Sequence, residues 1–422
     1  MAQRLASRRP GAQVERRRGT VAVVGAGAAG LMAAIWAARG APGREIIILD
    51  GARRLGAKIL ISGGGRCNVT HERVDETDFN GSSRNAIRKV LRRFQAQDTV
   101  AFFRELGVSF KREETGKLFP TTDDSRTILD ALLNAARVAG VLIEHPRRVL
   151  QVSRAEAGFC LRGEWGEMRA DSLVLATGGV SLPKSGSDGQ GYELARSLGH
   201  SVTPRILPAL VPLTLPDGHF LRRLAGISAD ARVESRSSTG RRLAIAPGPV
   251  LCAHFGLSGP AILDISRHYL NARLDDPDAR LTINWLPETT AEQLDAELQS
   301  LGQTRPVNYF RRRRPDRLVE ALFAEAEVAM ETPAHGLSRA ARQALVRVFT
   351  RLDVPITGHR GFNVAEATAG GVPLSELRLN SMESRVCPGL FLCGEMCDVD
   401  GRIGGFNFQW AWSSGYVAGV SV

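Results

Sequence analysis

The stretch Gly25-Ala-Gly27-Ala-Ala-Gly30 constrains this 422-residue chain more than any other. A strand-like segment, Thr20 to Val24, precedes it. An almost wholly apolar helix, Leu31 to Arg39, follows, and then a second strand, Glu45-Ile-Ile-Ile-Leu-Asp50. In that setting the first glycine makes the tight turn, the second lets the backbone approach a pyrophosphate, and the third lets helix and strand pack closely. The helix N-terminus offers free N–H groups and a partial positive charge to the phosphates. Asp50 closes the second strand 20 residues after Gly30, where a carboxylate can accept hydrogen bonds from a ribose. The unit predicts dinucleotide binding by a Rossmann-like α/β domain.

The same run, Val21 to Ala38, carries no charge and follows three arginines, which resembles a signal peptide or a short membrane span. A buried strand, turn and buried helix account for it better, and no other membrane candidate stands out. The composition is that of a globular protein, 43% hydrophobic and 23% charged. A net charge of +11 raises nucleic acid as a partner. Much of that charge lies in the first 19 residues, where Arg4, Arg8, Arg9, Arg16, Arg17 and Arg18 face only Glu15. A second run, Arg311 to Arg314, lies in a helix-rich stretch. Neither is interleaved with aromatic residues that stack on bases, so both read as solvated charge and no specific nucleic acid is expected. Residues 1–19 are expected to be a disordered basic extension rather than a transit peptide. The six cysteines, Cys67, Cys160, Cys252, Cys387, Cys393 and Cys397, form neither a zinc pattern nor a CxxC pair, which suits a reducing cytoplasm.

Further along, periodicity predicts helices over 84–107 and Ser125–Ala139, with Ser125 as the cap, and short strands at 141–143 and 149–152. Another strand runs through Asp171 to Leu175 into the turn Ala176-Thr-Gly-Gly179. A helix is expected over 190–199, a mainly β segment over 201–266 and a helical stretch over 289–352. Glycine-rich chemistry returns at Gly361 to Gly371 and at Gly389 to Gly415. This layout predicts a nucleotide domain made of 20–195 and 366–422, a β-rich domain of 196–275 and 350–365, and a small helical insertion of 276–349.

The turn motif alone does not separate FAD from a nicotinamide. Three further pieces favour FAD. Leu173 to Gly179 is a strand and turn of the kind that passes a flavin's ADP portion. Gly389-Leu-Phe-Leu-Cys-Gly394-Glu395 is a strand ending in a glycine and an acid able to accept a hydrogen bond from the ribityl chain. Gly404-Gly405-Phe406-Asn407-Phe408 then opens a helix whose N-terminus can stabilise negative charge on a reduced flavin.

Together with Lys58-Ile-Leu-Ile-Ser62-Gly63-Gly64-Gly65-Arg66-Cys67-Asn68, His254-Phe-Gly-Leu-Ser-Gly-Pro260, Ala369-Gly-Gly-Val372 and Asp398-Val-Asp-Gly401, these stretches carry a specific resemblance. From Thr20 to the C-terminus the chain resembles the bacterial NAD(P)/FAD-dependent oxidoreductases called aminoacetone oxidase-like or bile-acid reductase-like flavoproteins. The resemblance implies a glutathione-reductase-like FAD half with an inserted β-rich domain and a small helical domain. It implies that Gly25, Gly27, Ala28, Ala29 and Gly30 hold the pyrophosphate, and that the loop from Ser62 through Asn68 lies along the flavin, with Lys58 a further cofactor contact. Thr177, Gly178 and Gly179 would flank the adenosine. Gly394, Glu395, Gly404, Gly405, Phe406, Asn407 and Phe408 would hold the ribityl and pyrimidine ends, with Val149 and Asp398 as further cofactor contacts. Asp50 stands where the family more often has glutamate.

A flavin carries the hydride chemistry itself, so catalytic side chains are hard to name from sequence. The candidates are Arg66 beside the flavin, Cys67 as a reactive thiolate lowered in pKa by Arg66 and the glycine turn, and His254 as proton donor. No metal site is expected. Gly186-Ser-Asp-Gly189-Gln-Gly191 has the wrong spacing for a second nucleotide domain, so NAD(P)H, where it is the donor, binds transiently at the flavin face. The expected function is oxidoreduction of a small organic molecule by a monomer or homodimer. The routes are NAD(P)H-fed reduction of an activated C=C bond or oxidase chemistry with oxygen. A rival of another class is a non-enzymatic, FAD-stabilised RNA-associated protein.

Overall fold

The computed structural model describes residues 19–422. Of the basic extension expected over residues 1–19, residues 1–18 lie outside the described residues. Two seven-stranded sheets organise the rest. The first runs in spatial order Leu377–Arg378, Glu383–Ser384, Leu390–Leu392, Ser172–Leu175, Thr20–Val24, Glu45–Leu49, Leu142–Glu144. Its five central and outer strands from Leu390 to Glu144 are parallel. In the four strands inside the edge strand Leu142–Glu144, the valine, isoleucine and leucine side chains are buried on both faces, as a helix-covered parallel sheet requires. Register pairs Val24 with both Leu49 and Leu175. The turns that follow these strands, at Gly25, Asp50 and Ala176, therefore emerge side by side at one edge, where open α/β sheets bind ligands.

The helix Ala28–Gly40 covers one face of this sheet and packs along the C-terminal helix Phe406–Gly419. Small residues make that approach possible. A Cβ on Gly415 would stand 2.5 Å from the Ala29 carbonyl oxygen, and one on Gly419 2.4 Å from that of Ala33. The last 14-residue helix thus completes the domain that the first strand begins.

The second sheet is antiparallel: Leu352–Val354, Arg280–Asn284, Ser228–Arg236, Arg242–Ala253, Gly256–Ser258, Leu213–Thr214, Gly358–His359. Helices Ala291–Ser300, Pro306–Arg311, Asp316–Glu325 and Arg339–Thr350 follow in the chain. They share one continuous core with this sheet, in which Phe310 and Phe349 stack beside Val233, Leu281 and Trp285. The helices therefore share the core of the sheet, and Arg280–Asn284, within the 276–349 insertion but ahead of the stretch 289–352 expected to be helical, is a strand of that sheet.

Other local expectations shift for identifiable reasons. The helix expected over 84–107 is two, Arg84–Leu91 and Ala96–Glu105, because the Asp98 carboxylate accepts the Gln95 N–H at 2.7 Å and starts a new helix. Asp124, not Ser125, caps Ser125–Val138 by accepting from Arg126 N at 2.9 Å, while the Ser125 hydroxyl donates to the Leu60 carbonyl. The β segment ends earlier than Ser266, since Pro260 opens the helix Pro260–Asp275. A two-stranded ribbon, Leu207–Ala209 with Ala367–Ala369, links the halves and brings Leu210, Val364 and Glu366 to the edge of the first sheet.

Candidate functional site

One cavity of about 1030 Å³ opens along the carboxyl edge of the parallel sheet. That lies at the upper end of volumes for small-molecule and cofactor sites. The three fingerprint glycines do separate jobs in it. Gly25 has φ +106, and a Cβ there would lie 2.5 Å from the Ala176 carbonyl oxygen. A Cβ on Gly30 would lie 1.9 Å from the Gly25 carbonyl oxygen, so Gly30 serves packing and does not line the cavity. Gly27 lines it, and a Cβ there would meet no protein atom within 4 Å. No contact within the protein requires glycine at this position; an open approach to the backbone does.

Gly27 is the N-cap of Ala28–Gly40, which has no acid in its first turn and no side-chain cap, so the amides of Ala28 and Ala29 face the cavity without a side-chain partner. The C-terminal helix repeats the device, with Gly405 as N-cap at φ +93 and again neither cap nor acid. Asp50 accepts from Ala26 N at 2.6 Å and Ala52 N at 2.7 Å, fixing the turn while its remaining lone pairs face the cavity. Asn68, 8% exposed, lines the cavity with a buried side-chain oxygen that has no hydrogen-bond partner. A buried polar atom of this kind calls for a ligand atom. The clear space over Gly27, two uncapped helix N-termini and the unpartnered Asn68 amide fit a dinucleotide cofactor.

Gly25, Gly27, Ala28, Ala29, Asp50, Lys58, Ser62, Gly63, Gly64, Arg66, Asn68 and Val149 all line this one cavity, as do Thr177, Gly178, Gly394, Glu395, Gly404, Gly405, Asn407 and Phe408. Gly30, Gly65, Cys67, Gly179, Asp398 and Phe406 do not; they pack behind it. Two cavity residues are engaged differently from expectation. Glu395 is ion-paired with Lys58 and accepts from the Ser181 hydroxyl at 2.6 Å, so it is no free acceptor. The Asn407 side chain clasps Gly401, accepting from its N–H at 2.8 Å and donating to its carbonyl at 2.9 Å, which leaves only its backbone to the cavity.

The three catalytic candidates fare differently. His254 is exposed in the turn between Arg242–Ala253 and Gly256–Ser258 and is not part of the cavity, so it is no proton donor there. Cys67 is fully buried, and burial pushes its thiol up to about 12, opposite to the expected thiolate. Arg66 does line the cavity, but its guanidinium pairs with Glu113 at 2.8 Å and lies 4.1 Å from the Phe119 ring centroid. All six cysteines are buried and free. The folded protein should therefore show no rapidly reacting thiol toward a disulfide reagent at neutral pH, and six after denaturation.

Sequence reasoning missed much of the wall. Arg53, Arg54 and Lys184 line the cavity beside Asp50 and form no ion pair among the described residues. Arg53 and Arg54, directly after an acid-terminated strand, were a signal for phosphate binding. The stretch Leu182–Asp188, which overlaps the Gly186–Gly191 run set aside as a second nucleotide motif, forms part of the wall. Arg148 pairs there with Asp188 at 2.6 Å. On the other side stand Lys117, Phe119, Leu210, Val364, Glu366, Arg402 and Ile403, from four separate parts of the chain. Among the described residues no helix is long and apolar enough to cross a membrane.

The sequence model described as the HI0933-like protein Rossmann domain matches residues 19–421. A 3-dehydro-bile acid delta(4,6)-reductase of Clostridium scindens is 34% identical over 404 residues, covering 94% of this chain and 98% of that protein. A ribosomal RNA dihydrouridine synthase of Escherichia coli is 34% identical over 402 residues, covering 93% of this chain and 95% of that protein. Among solved structures, a 3-ketosteroid delta1-dehydrogenase from Sterolibacterium denitrificans aligns at TM-score 0.49 and 12% identity, covering 95% of this chain and 99% of that one.

Proposed function

Since the chain belongs to the HI0933-like family of FAD-dependent oxidoreductases, we propose that it reduces an activated C=C bond with electrons from a nicotinamide. Family membership makes it an enzyme and removes the non-enzymatic RNA-associated reading. The observation that carries the proposal is the lining of the cavity. Opposite the Asp50 wall it takes in Phe119, Leu210, Val364 and Ile403, with Lys117, Arg402 and Glu366 as its charged groups. A largely apolar wall with a few charged groups suits an uncharged organic substrate bearing a carbonyl conjugated to the double bond.

In this reading the amides of Ala28 and Ala29, with Arg53, Arg54 and Lys184, hold the pyrophosphate and Asp50 the ribose. The Lys58–Glu395–Ser181 group, Asn68 and the N-terminus of Phe406–Gly419 hold the flavin end. When bound, FAD supplies the hydride. The chain supplies orientation and a positive helix terminus toward the pyrimidine edge.

The relatives support reduction over oxidase chemistry. One is named a reductase of a bile-acid double bond, and a dihydrouridine is a uridine saturated at a ring double bond. The second name, with the net charge of +11, favours a further reading in which the double bond belongs to a uracil in RNA. Anaerobic mixing separates these. NADPH or NADH should bleach the flavin of the holoprotein, and a 3-oxo-Δ4 steroid should restore it, whereas restoration by uridine-containing RNA alone would favour the RNA substrate. Failure of both nicotinamides to bleach the flavin would overturn the reductase reading.

A further inference from the structure

Four carboxylates line the cavity, and three are committed. Asp50 accepts two backbone amides, Asp188 pairs with Arg148, and Glu395 pairs with Lys58 and Ser181. Glu366 forms no side-chain hydrogen bond or ion pair among the described residues. Its position is built rather than loose. Its N–H bonds to the Leu210 carbonyl at 3.3 Å, ahead of the ribbon strand Ala367–Ala369. Ala365 and Ala367 on either side are fully buried, so strand alternation turns Glu366 out of the core and into the chamber. The Thr368 hydroxyl, two residues on, accepts the amides of Val180 and Ser181 at 2.8 and 3.0 Å and locks the strand onto the nucleotide domain.

We propose that Glu366 is the proton donor of the reduction, with Lys117 holding the substrate's carbonyl oxygen. The proposal rests on the reading above, that the substrate is a conjugated carbonyl compound. Hydride adds to the β carbon, the π bond between the α and β carbons breaks, and its electron pair takes the proton of the Glu366 carboxyl at the α carbon. The electrons derive from NAD(P)H, and water entering through the cavity mouth reprotonates Glu366. The Lys117 ammonium lines the same chamber, carries no ion pair among the described residues, and can stabilise the enolate oxygen as charge develops there.

The charged surroundings suit an acid. Glu366 is exposed to the open space of the cavity, and the walls around it displace part of its water, which raises its pKa above the usual glutamate value against the pull of Lys117 and Lys58. Asp264, on the helix Pro260–Asp275, adds a negative neighbour whose own carboxyl is raised to about 6, mainly by burial, while Arg402 acts on Asp264 from the loop before the last helix. A raised acid holds its proton further toward neutrality, so turnover should fall as pH rises through that pKa.

The test is an infrared pH titration of the holoprotein and of E366Q, in which glutamine keeps the shape of the side chain. The expected result is a protonated carboxyl band that persists above the ordinary glutamate range and is missing from E366Q. Flavin reduction by NADPH should be unchanged in the variant, while reoxidation by a 3-oxo-Δ4 steroid slows by about 10²–10⁴-fold. Because Asp264 and Asp400 also hold raised protons, the readout is the wild-type minus E366Q difference: no carboxyl band lost in E366Q, or reoxidation at the wild-type rate with the wild-type pH profile, overturns the assignment. Wild-type flavin that no enone reoxidises overturns instead the reductase reading, and the infrared result then still decides whether Glu366 carries the proton.

Discussion

Replacing Gly27 by valine should abolish tight FAD binding while lowering apoprotein stability by no more than about 1 kcal/mol. Gly27 has φ −80 and ψ −173, a conformation that any residue adopts, and no protein atom lies within 4 Å of the position a Cβ would take. The added side chain therefore meets no clash at its Cβ, costs the fold only the poorer N-cap, and occupies the approach to the Ala28 and Ala29 amides. Charge-assisted hydrogen bonds to a phosphate contribute roughly 1.5–3 kcal/mol each, so loss of two should weaken FAD binding by about 10²–10⁴-fold. Gly30→Ala makes the contrast. Its methyl group would stand 1.9 Å from the Gly25 carbonyl oxygen, so the turn itself must move and stability should fall by about 1–3 kcal/mol. Calorimetric FAD titration and thermal melts of the two apoproteins separate the effects. A Gly27→Val protein that binds FAD normally would show that this turn faces no phosphate.

The second large effect concerns a charge behind the site. Asp400 is 1% exposed, lies 3.0 Å from Arg267 Nε, and has one carboxyl oxygen with no hydrogen-bond partner. Burial, with smaller contributions from Asp398 and Glu395, raises its pKa from 3.8 to about 7 against the pull of Arg267. A raised acid is protonated in the folded state while the unfolded chain has already ionised. Its contribution to stability is thus present below pH 3.8 and is lost as pH rises toward 7. Asp400→Asn removes that dependence, although it leaves Arg267 uncompensated at every pH. The difference in unfolding free energy, variant minus wild type, should therefore move in favour of the variant by roughly 3 kcal/mol between about pH 5 and pH 8. Denaturant titrations of FAD-saturated protein at the two pH values measure it. A pH-independent difference would mean that Asp400 is ionised throughout.

What the sequence conveyed, and what it did not, follows from distance along the chain. The fingerprint turn, the second strand and Asp50 lie within about thirty residues, and their roles follow from local backbone rules; the structure brings them to one edge through the register of adjacent parallel strands. The last helix was legible too, because Gly404-Gly405 ahead of an apolar run marks an uncapped N-terminus. Lys117 and Glu366 were not legible. They are 249 positions apart and line one cavity because the ribbon Leu207–Ala209 with Ala367–Ala369 docks on the nucleotide domain. Nothing near either residue announces that placement. Cys67 and His254 failed for the complementary reason: motif membership says nothing about burial, and one is sealed in the core while the other sits in an exposed turn. Likewise, the continuous core joining Phe310 and Phe349 to the second sheet cannot be read from a run of helices.

The most direct measurement is the absorption-monitored titration of stripped, folded protein with FAD, alongside Gly27→Val. Saturation at one flavin per chain by the wild type, with no shift in the flavin spectrum for the variant, is the predicted outcome. Failure of the wild type to take up flavin while its circular dichroism and melting remain those of a folded protein would contradict the convergence of Gly27, Asn68 and Gly405 on a single cofactor.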